Sequence, residues 1–340
     1  MSLTRAIKSG DVGLLPSRRD EDWKWTDLRG LLRVLPPAST RVEAPPATPD
    51  AGRPVQYDVI NGNDGFVIRS AAREPYAVIV HFQSQDAGAH TARGEIEVLS
   101  GGHLIVMETY SGDDRDYVSS VDLTIKLQPD SRLERVVLGA DGPGAVSVST
   151  ATVTLSENSH FAQTILTDGA RRQRFETHVA HPGAGATVRL DGVYLLGDRR
   201  HADQTSVVTH AGVDGTTTQL TKGVVRDQAR GVFQGRIVVA EGADRTDAKM
   251  GHHALILSDR AEVDAKPELE IFADDVSCAH GNTIGALDED ALFYAQQRGM
   301  PEAVARTLLT EAFVGEVVDR IEHAAARETA RAWVAERLEG

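Results

Sequence analysis

The chain has 340 residues, of which 41% are hydrophobic and 25% charged, as in soluble globular proteins long enough for one large or two ordinary domains. Its net charge of -14 argues against nucleic acid or an anionic membrane as a partner, since either needs a basic face. One cysteine excludes an internal disulfide, and there is no signal-like or membrane-spanning apolar run, so we expect a cytoplasmic location.

Residues 1–54 are predicted to form a short helical arm followed by a proline-rich linker. The pattern over 3–15 is weakly helical, and two tryptophans, Trp23 and Trp25, then stand among charged residues. They suggest aromatic anchors that attach the arm to the rest of the chain, but ordinary local packing of two aromatics explains them equally well. Proline, alanine and threonine dominate 36–54, which is typical of a linker or an irregular crossing segment.

Residues 55–286 read as β structure almost throughout. Short apolar or alternating runs predict strands over 77–82, 94–99, 103–109, 118–127, 132–138, 146–155, 161–167, 175–179, 187–195, 205–209, 223–225, 235–239 and 269–273. Asp-Gly pairs at 141–142, 168–169, 191–192 and 214–215 predict turns between them. A sandwich, a barrel and a solenoid all fit. Scarce helix and many small residues favour a β-helix at least as strongly as a sandwich, although no repeat or internal duplication is evident.

Residues 287–340 change to a helical period. Asp288 is a suitable N-cap for a helix over 291–298, with Gly299 at its C′ position, and Pro301 is predicted as the first residue of a longer helix. Apolar residues recur at 304, 308, 312, 315 and 318, with a second row at 309, 313, 317 and 321 beside them, and a final stretch carries Trp333. The pattern fits a cap over one end of a solenoid and a docking surface for a partner equally well.

Cys278 and His280 are the candidate metal-contacting residues. If this stretch is extended, side chains two residues apart share a face, so the thiol and the imidazole project together. That pair suits iron, zinc or copper better than calcium or magnesium. Asp274 and Asp275 precede them in sequence. A lone cysteine is, however, more often a small buried hydrophobe, and two ligands do not complete a metal site.

Other catalytic signals are missing. The sequence contains neither the phosphate-binding G-x-x-x-x-G-K-[ST] pattern nor a dinucleotide fingerprint, G-x-S-x-G or H-E-x-x-H. His252 and His253 are adjacent, so on a strand they point to opposite faces, and we interpret them as surface or turn residues. His201 and His210 are interpreted as hydrogen-bonded structural residues.

Several stretches together resemble the SufD family of the SUF iron–sulfur cluster assembly system. The run A-D-D-V-S-C-A-H-G-N-T-I-G over 273–285 is similar to the family's A-D-D-V-x-C-x-H-G-x-x-x-G. Residues 231–237 and 246–248 resemble G-x-F-x-G-x-I and T-D-A, and residues 21–26 resemble E-x-W-K-x-T. The C-x-H-G spacing favours SufD over its paralogue SufB. Two departures are a short helical segment before Trp23 and the run over 249–253, where a more polar stretch is expected.

This resemblance implies a mainly β fold, a right-handed parallel β-helix with a short N-terminal helical arm and a C-terminal helical segment. It implies a non-enzymatic scaffold that pairs with a SufB-like subunit through its last coils and docks a SufC-like ATPase on its C-terminal helices. Cys278 and His280 would contact a transient iron–sulfur cluster or iron at the shared interface, with no cofactor bound stably by the chain alone. A homodimer of the isolated chain is also compatible with this resemblance.

Two other function classes remain open from the sequence. A β-helix enzyme acting on carbohydrate would need paired carboxylates in a groove and exposed aromatics, whereas only 5% of this chain is aromatic. A metal-independent homodimeric interaction module, with Cys278 merely buried, is the other alternative.

Overall fold

The computed structural model describes residues 2–43, 54–62, 65–113 and 115–339. The central part of the predicted proline-rich linker, 44–53, therefore lies outside the described residues. Seventeen strands, β1 to β17, form the β part of the described chain. They are Val55–Ile60, Phe66–Ser70, Tyr76–Ser84, Ala89–Val98, His103–Gly112, Val118–Leu127, Arg132–Ala140, Val146–Leu155, His160–Thr167, Arg172–His181, Thr187–Leu196, His201–His210, Thr216–Val225, Arg230–Val239, Thr246–Ile256, Glu262–Ile271 and Val276–Gly285.

Successive strands alternate between two parallel sheets, so the chain winds as a β-helix. The odd-numbered strands form a nine-stranded sheet in the order β1 to β17, here called sheet I. The even-numbered strands form an eight-stranded sheet from β2 to β16, here called sheet II. The main apolar core runs between the sheets from Val59 to Met250. The predicted parallel β-helix is confirmed, and the sandwich and barrel alternatives are wrong.

The coils differ in length, which explains why no repeat is visible in the sequence. Val55 pairs with Val78, only 23 residues later, whereas Arg230 pairs with Glu262, 32 residues later. The turns between strands use left-handed residues that tolerate positive φ, such as Asp130 at 59°. Because insertions are accommodated in these turns, the strands stay in register while the sequence spacing drifts.

Most strand predictions fall on observed strands that are longer than the predicted segments. The pattern predicts no separate strand at β1, β2 or β15, and it places the strand over 269–273 later than β16. The predicted turn at Asp191-Gly192 is wrong, because both residues lie in the middle of β11. Gly192 faces the crowded interior, where a Cβ atom would overlap the side-chain amide of Gln204. Glycine is needed here for space, not for a turn.

The N-terminal arm lies along the outer face of sheet II. It contains α1 (Leu3–Ser9), two single 3₁₀ turns (Val12–Leu14 and Glu21–Trp23) and α2 (Leu28–Leu31). Leucines of these elements pack against Ala89 and Val118 of the sheet. The ring of Trp23 lies 4.2 Å from the guanidinium carbon of the buried Arg174. Trp23 therefore anchors the arm, as one of the two interpretations expects.

The C-terminal helices are α3 (Glu289–Gln297), α4 (Glu302–Val318) and α5 (Ala324–Glu339). Asp288 caps α3 as predicted, accepting hydrogen bonds from two backbone N–H groups, and Gly299 adopts a positive φ of 87°. Pro301 is the N-cap of α4 and not its first residue, so that prediction is off by one position. None of the described helices is long and apolar enough to cross a membrane.

The expectation that these helices cap one end of the solenoid is wrong. Val314, Val317 and Trp333 instead pack on the outer face of sheet I, over its middle strands β7 to β13. In the first predicted apolar row of α4, Val304 and Leu308 are 47% and 46% exposed and face away from the sheet, whereas Val318 packs on it. Val317 and Ile321 of the second row are also buried there. Both faces of α4 are apolar, and periodicity alone cannot decide which one the sheet covers.

Candidate functional site

The last coil of the β-helix is open. β16 and β17 are the end strands of their sheets, and among the described residues no strand pairs with their outer edges. The backbone groups along those edges are therefore available to a further strand. Large apolar side chains lie on the same coil in exposed positions, namely Ile271, Phe272 and Ile284. An unpaired edge combined with exposed apolar groups is a surface suited to another protein chain.

Cys278 and His280 both lie on β17, in the row that continues the interior of the β-helix. Cys278 pairs in register with Ala248 and His280 with Met250, and both of these β15 residues are buried in the core. Cys278 is half-buried and packs against that core, while His280 is exposed because no further coil covers it. The thiol and the imidazole therefore share one face at an accessible end of the molecule.

The surroundings of Cys278 favour the protonated form of its thiol, because they raise its pKa. Burial raises its pKa, and the carboxylate of Asp247 raises it further, against the opposing effect of a hydrogen bond with the backbone of Ala248. A protonated thiol is a poor nucleophile and a poor metal ligand. A cation brought by a bound partner or substrate would favour the thiolate.

Asp274 and Asp275 do not join the pair. Both are exposed in the turn before β17, where the carbonyl of Asp275 accepts a hydrogen bond from the Arg245 N–H. Within the described part of the chain, no three histidine, cysteine, aspartate or glutamate side chains are grouped so as to hold a metal ion. The described residues thus bring two candidate ligands to one face and do not form a closed metal site.

A hydrogen-bonded chain behind the site is not predicted from the sequence. His252 is fully buried in the interior row of β15, so its interpretation as a surface or turn residue is wrong. One ring nitrogen is 2.8 Å from the Tyr194 hydroxyl, and the other is 2.7 Å from the Asn282 side-chain oxygen on β17. Its ring stacks on Phe233 at 4.7 Å. The chain Tyr194–His252–Asn282 links the core to the row that carries Cys278.

His252 is neutral at physiological pH, since burial lowers its pKa to about 4. With Nδ1 donating to the Asn282 oxygen, Nε2 accepts from the Tyr194 hydroxyl. Asn282 is then fixed with its NH₂ group free to donate. The sequence signal that could have identified Asn282 as part of this row is its position two residues after His280 on an extended segment. His201 and His210 are buried and hydrogen-bonded, as expected for structural residues.

A second exposed apolar surface lies on the C-terminal helices. Phe293 and Tyr294 of α3 are 62% and 61% exposed, and Val304 and Leu308 of α4 lie on the side facing away from sheet I. Between α4 and α5, a groove of about 380 Å³ is lined by Leu308, Ala312, Gly315, Val318 and Val334, with Glu311, Asp319 and Arg331 around it.

Comparison with known proteins identifies the family. The model of the SufBD core domain, described as SUF system FeS cluster assembly, matches residues 81–313, well over half of the chain. The chain belongs to the SufBD family. Iron-sulfur cluster assembly protein SufD of Escherichia coli is 29% identical over 250 residues, covering 73% of this chain and 59% of that protein. The chain is thus a member of a family described by iron–sulfur cluster assembly, and it is similar to a protein named SufD.

Two further relatives show how coverage varies within the SufBD family. A SufBD family protein of Synechocystis is 29% identical over 205 residues, covering 60% of this chain and 45% of the relative. One from Mycobacterium tuberculosis is 26% identical over 365 residues, covering 97% of this chain and 91% of the relative. The chain thus spans about half to three-fifths of the length of the Escherichia coli and Synechocystis proteins. The matched core domain contains both Cys278 and His280.

Proposed function

We propose that this SufBD chain is a non-enzymatic scaffold subunit that pairs with a SufB-like chain through its open last coil. The observation that carries the proposal is the position of Cys278 and His280 on β17. They lie at the end of the molecule where, among the described residues, no further strand pairs with either sheet. A partner strand added to each edge would cover exposed Ile271 and Phe272 and extend both sheets.

In this arrangement the nascent iron–sulfur cluster is cargo held between the two subunits. Cys278 supplies a thiolate and His280 an imidazole, both suited to iron, while the SufB-like chain supplies the remaining ligands. In a metal site shared between two chains, each chain carries only part of the ligand set. Asn282, held by His252, supports the same row as a hydrogen-bond donor to cluster sulfur or to partner backbone.

The exposed face of α3, α4 and α5 is proposed as the docking surface for a SufC-like ATPase. The apolar side chains Phe293, Tyr294 and Leu308 lie on it together with the groove between α4 and α5. Because the opposite face of α4 packs on sheet I, a movement of the docked ATPase would be transmitted through α4 to the β-helix. ATP chemistry on that partner agrees with the absence of a nucleotide-binding motif in this sequence.

The test is anaerobic reconstitution of the cluster on the complex of this chain with SufB-like and SufC-like subunits, followed by visible absorbance. We expect Cys278→Ser and His280→Ala to lower cluster yield strongly while the complex still assembles. Ser277→Ala is the matched control, since Ser277 is exposed on the same strand and points to the opposite face. Wild-type yield from both site variants would remove Cys278 and His280 from the mechanism.

Pairing through the last coil has its own test. Phe272 is 64% exposed on that coil, and Val67 is 67% exposed on β2 at the other end of the β-helix. Phe272→Asp is expected to abolish co-purification with the SufB-like chain, and Val67→Asp to leave it unchanged. Equal complex mass for both variants would refute this interface. A homodimer that persists when SufB is present, or polysaccharide cleavage by the pure chain, would favour the two alternative functions.

A further inference from the structure

A basic pocket lies between the N-terminal arm and sheet II, far along the chain from the last coil. Its volume is about 630 Å³, within the usual range for small-molecule sites. Five arginines line it, with a single carboxylate: Arg18, Arg19, Arg29, Arg33, Arg172 and Asp27. In a chain of net charge -14, such a concentration of guanidinium groups is unusual.

The acidic residues of the arm mostly have partners elsewhere, and only part of the positive charge is offset, as Asp20 interacts electrostatically with Arg29. Asp20 accepts hydrogen bonds from the backbone and hydroxyl of Ser17, Glu21 pairs with Lys24 and Lys266, and Asp22 pairs with Arg236. These contacts hold three carboxylates in structural roles outside the pocket.

Asp27 is also committed, because it is the N-cap of α2 and accepts a hydrogen bond from the Gly30 N–H. Within the described ranges, no carboxylate forms an ion pair with Arg18, Arg19 or Arg33, and all three are exposed. Their guanidinium groups remain available to an incoming anion.

Arg172 and Arg29 form the fixed part of the pocket. Arg172 extends from β10 beneath the arm, and its Nε is buried with no hydrogen-bond partner among the described residues. Burial lowers the pKa of Arg172, and the nearby charges of Arg230 and Arg171 lower it further, with Asp27 opposing them. Arg29 is held by the carbonyl oxygens of Gly13 and Leu15. The charge of Arg172 and its unused buried donor favour an anion at this position.

We propose that this pocket binds a small anion carrying two or more phosphate groups. Guanidinium groups form paired, charge-assisted hydrogen bonds with phosphate oxygens, and Arg18, Arg19, Arg33 and Arg172 line a pocket larger than one phosphate needs. The anion would bridge Arg172 on the β-helix and Arg18 and Arg33 on the arm, so its binding would also fasten the arm to sheet II. This role is independent of cluster assembly at Cys278.

The experiment is isothermal titration of the full chain with inorganic pyrophosphate at about 0.15 M salt, where exposed charges are screened beyond roughly 8 Å. We expect saturable binding of one pyrophosphate per chain. Arg18→Gln/Arg33→Gln should weaken it roughly tenfold or more, as expected from losing charge-assisted hydrogen bonds. Arg73→Gln/Arg260→Gln, which removes two exposed arginines outside the pocket, is the matched control and should bind as the wild type does.

Further titrations distinguish the source of the phosphate. Equal affinity for pyrophosphate and ADP assigns the site to a diphosphate alone, and tighter ADP binding assigns it to a nucleotide. Arg172→Lys, which keeps the charge but loses the planar fork, should also bind more weakly, with thermal unfolding confirming its fold. The absence of saturable binding, equal weakening in the control, or binding to phosphatidylglycerol vesicles without binding to pyrophosphate would each overturn the proposal.

Discussion

Removal of Arg135 should destabilise the β-helix more than any surface substitution, because an ion pair lies inside the coil. Arg135 donates from Nε and Nη2 to the two oxygens of Glu108, each at 2.6 Å, and from Nη1 to Gln163 at 2.6 Å. The side chains of Arg135 and Glu108 are 2% and 0% exposed. Arg135→Met leaves the Glu108 carboxylate buried without its counter-charge, a change that costs about 3–5 kcal/mol.

The loss of stability is large because few hydrogen-bond donors to Glu108 are left. After the substitution, the Tyr110 hydroxyl, at 3.1 Å, is the remaining donor to the carboxylate among the described residues. Glu108→Gln alone leaves Arg135 unpaired and should cost a similar amount. In Glu108→Gln/Arg135→Met neither residue of the pair is charged. The loss of stability should therefore fall to that of the hydrogen bond lost by Gln163, about 1–3 kcal/mol. The double variant is thus expected to be more stable than either single one.

Urea unfolding of the four proteins, analysed as a double-mutant cycle, gives the coupling between the two residues. Since a solenoid can open locally, hydrogen exchange of amides in β5, β7 and β9 should detect the same loss in the affected coils. Arg115→Met is the control, because the pair of Arg115 with Asp113 is at the surface. Additive effects, or single substitutions as mild as the control, would refute the reasoning.

Three further predictions concern His252, Trp23 and Leu308. Because burial lowers the His252 pKa from 6.5 to about 4, the folded state resists protonation and loses stability as pH falls from 6.5 toward 4. His252→Gln should flatten this part of a thermal-unfolding pH profile, and an unchanged slope would contradict the assignment. Trp23→Ala removes the ring over Arg174 and should cost about 2 kcal/mol in urea unfolding while making the arm protease-sensitive; an equally resistant arm would argue against anchoring. Leu308→Glu should abolish binding of a SufC-like ATPase in pull-downs without lowering stability, whereas Val34→Glu, at a 79% exposed position, should not; identical binding would exclude this face.

The strands were the part of the fold most readable from the sequence, because alternation is a local property of the chain. In β6 and β8 the predicted and observed bounds coincide. The features that the sequence does not predict depend on contacts between residues of different coils. The Asp-Gly pair at Gly192 is typical of a turn, but the glycine is required because the side chain of Gln204 lies opposite it. The exposed face of α4 depends on which apolar stripe sheet I selects, and both stripes are present in the sequence.

The candidate site divides in the same way. Cys278 and His280 are two residues apart on a strand, so their shared face follows from extended geometry alone. Tyr194 and His252 contact each other across 58 positions in the sequence. No local pattern brings such residues together, and the drifting coil length hides the pairing of His252 with Asn282. The shared face of two residues on one strand was predictable, whereas contacts between residues on different strands required the fold.

The two ends of the β-helix differ in strand length, and this limits how copies could stack. β16 and β17 present ten residues each, whereas β1 and β2 taper to six and five. Head-to-tail addition, which would propagate into a filament, leaves about half of each long edge unmatched. Two long edges facing each other would match over their whole length and leave no long edge for a further copy. Unequal ends thus disfavour the continued growth of a filament.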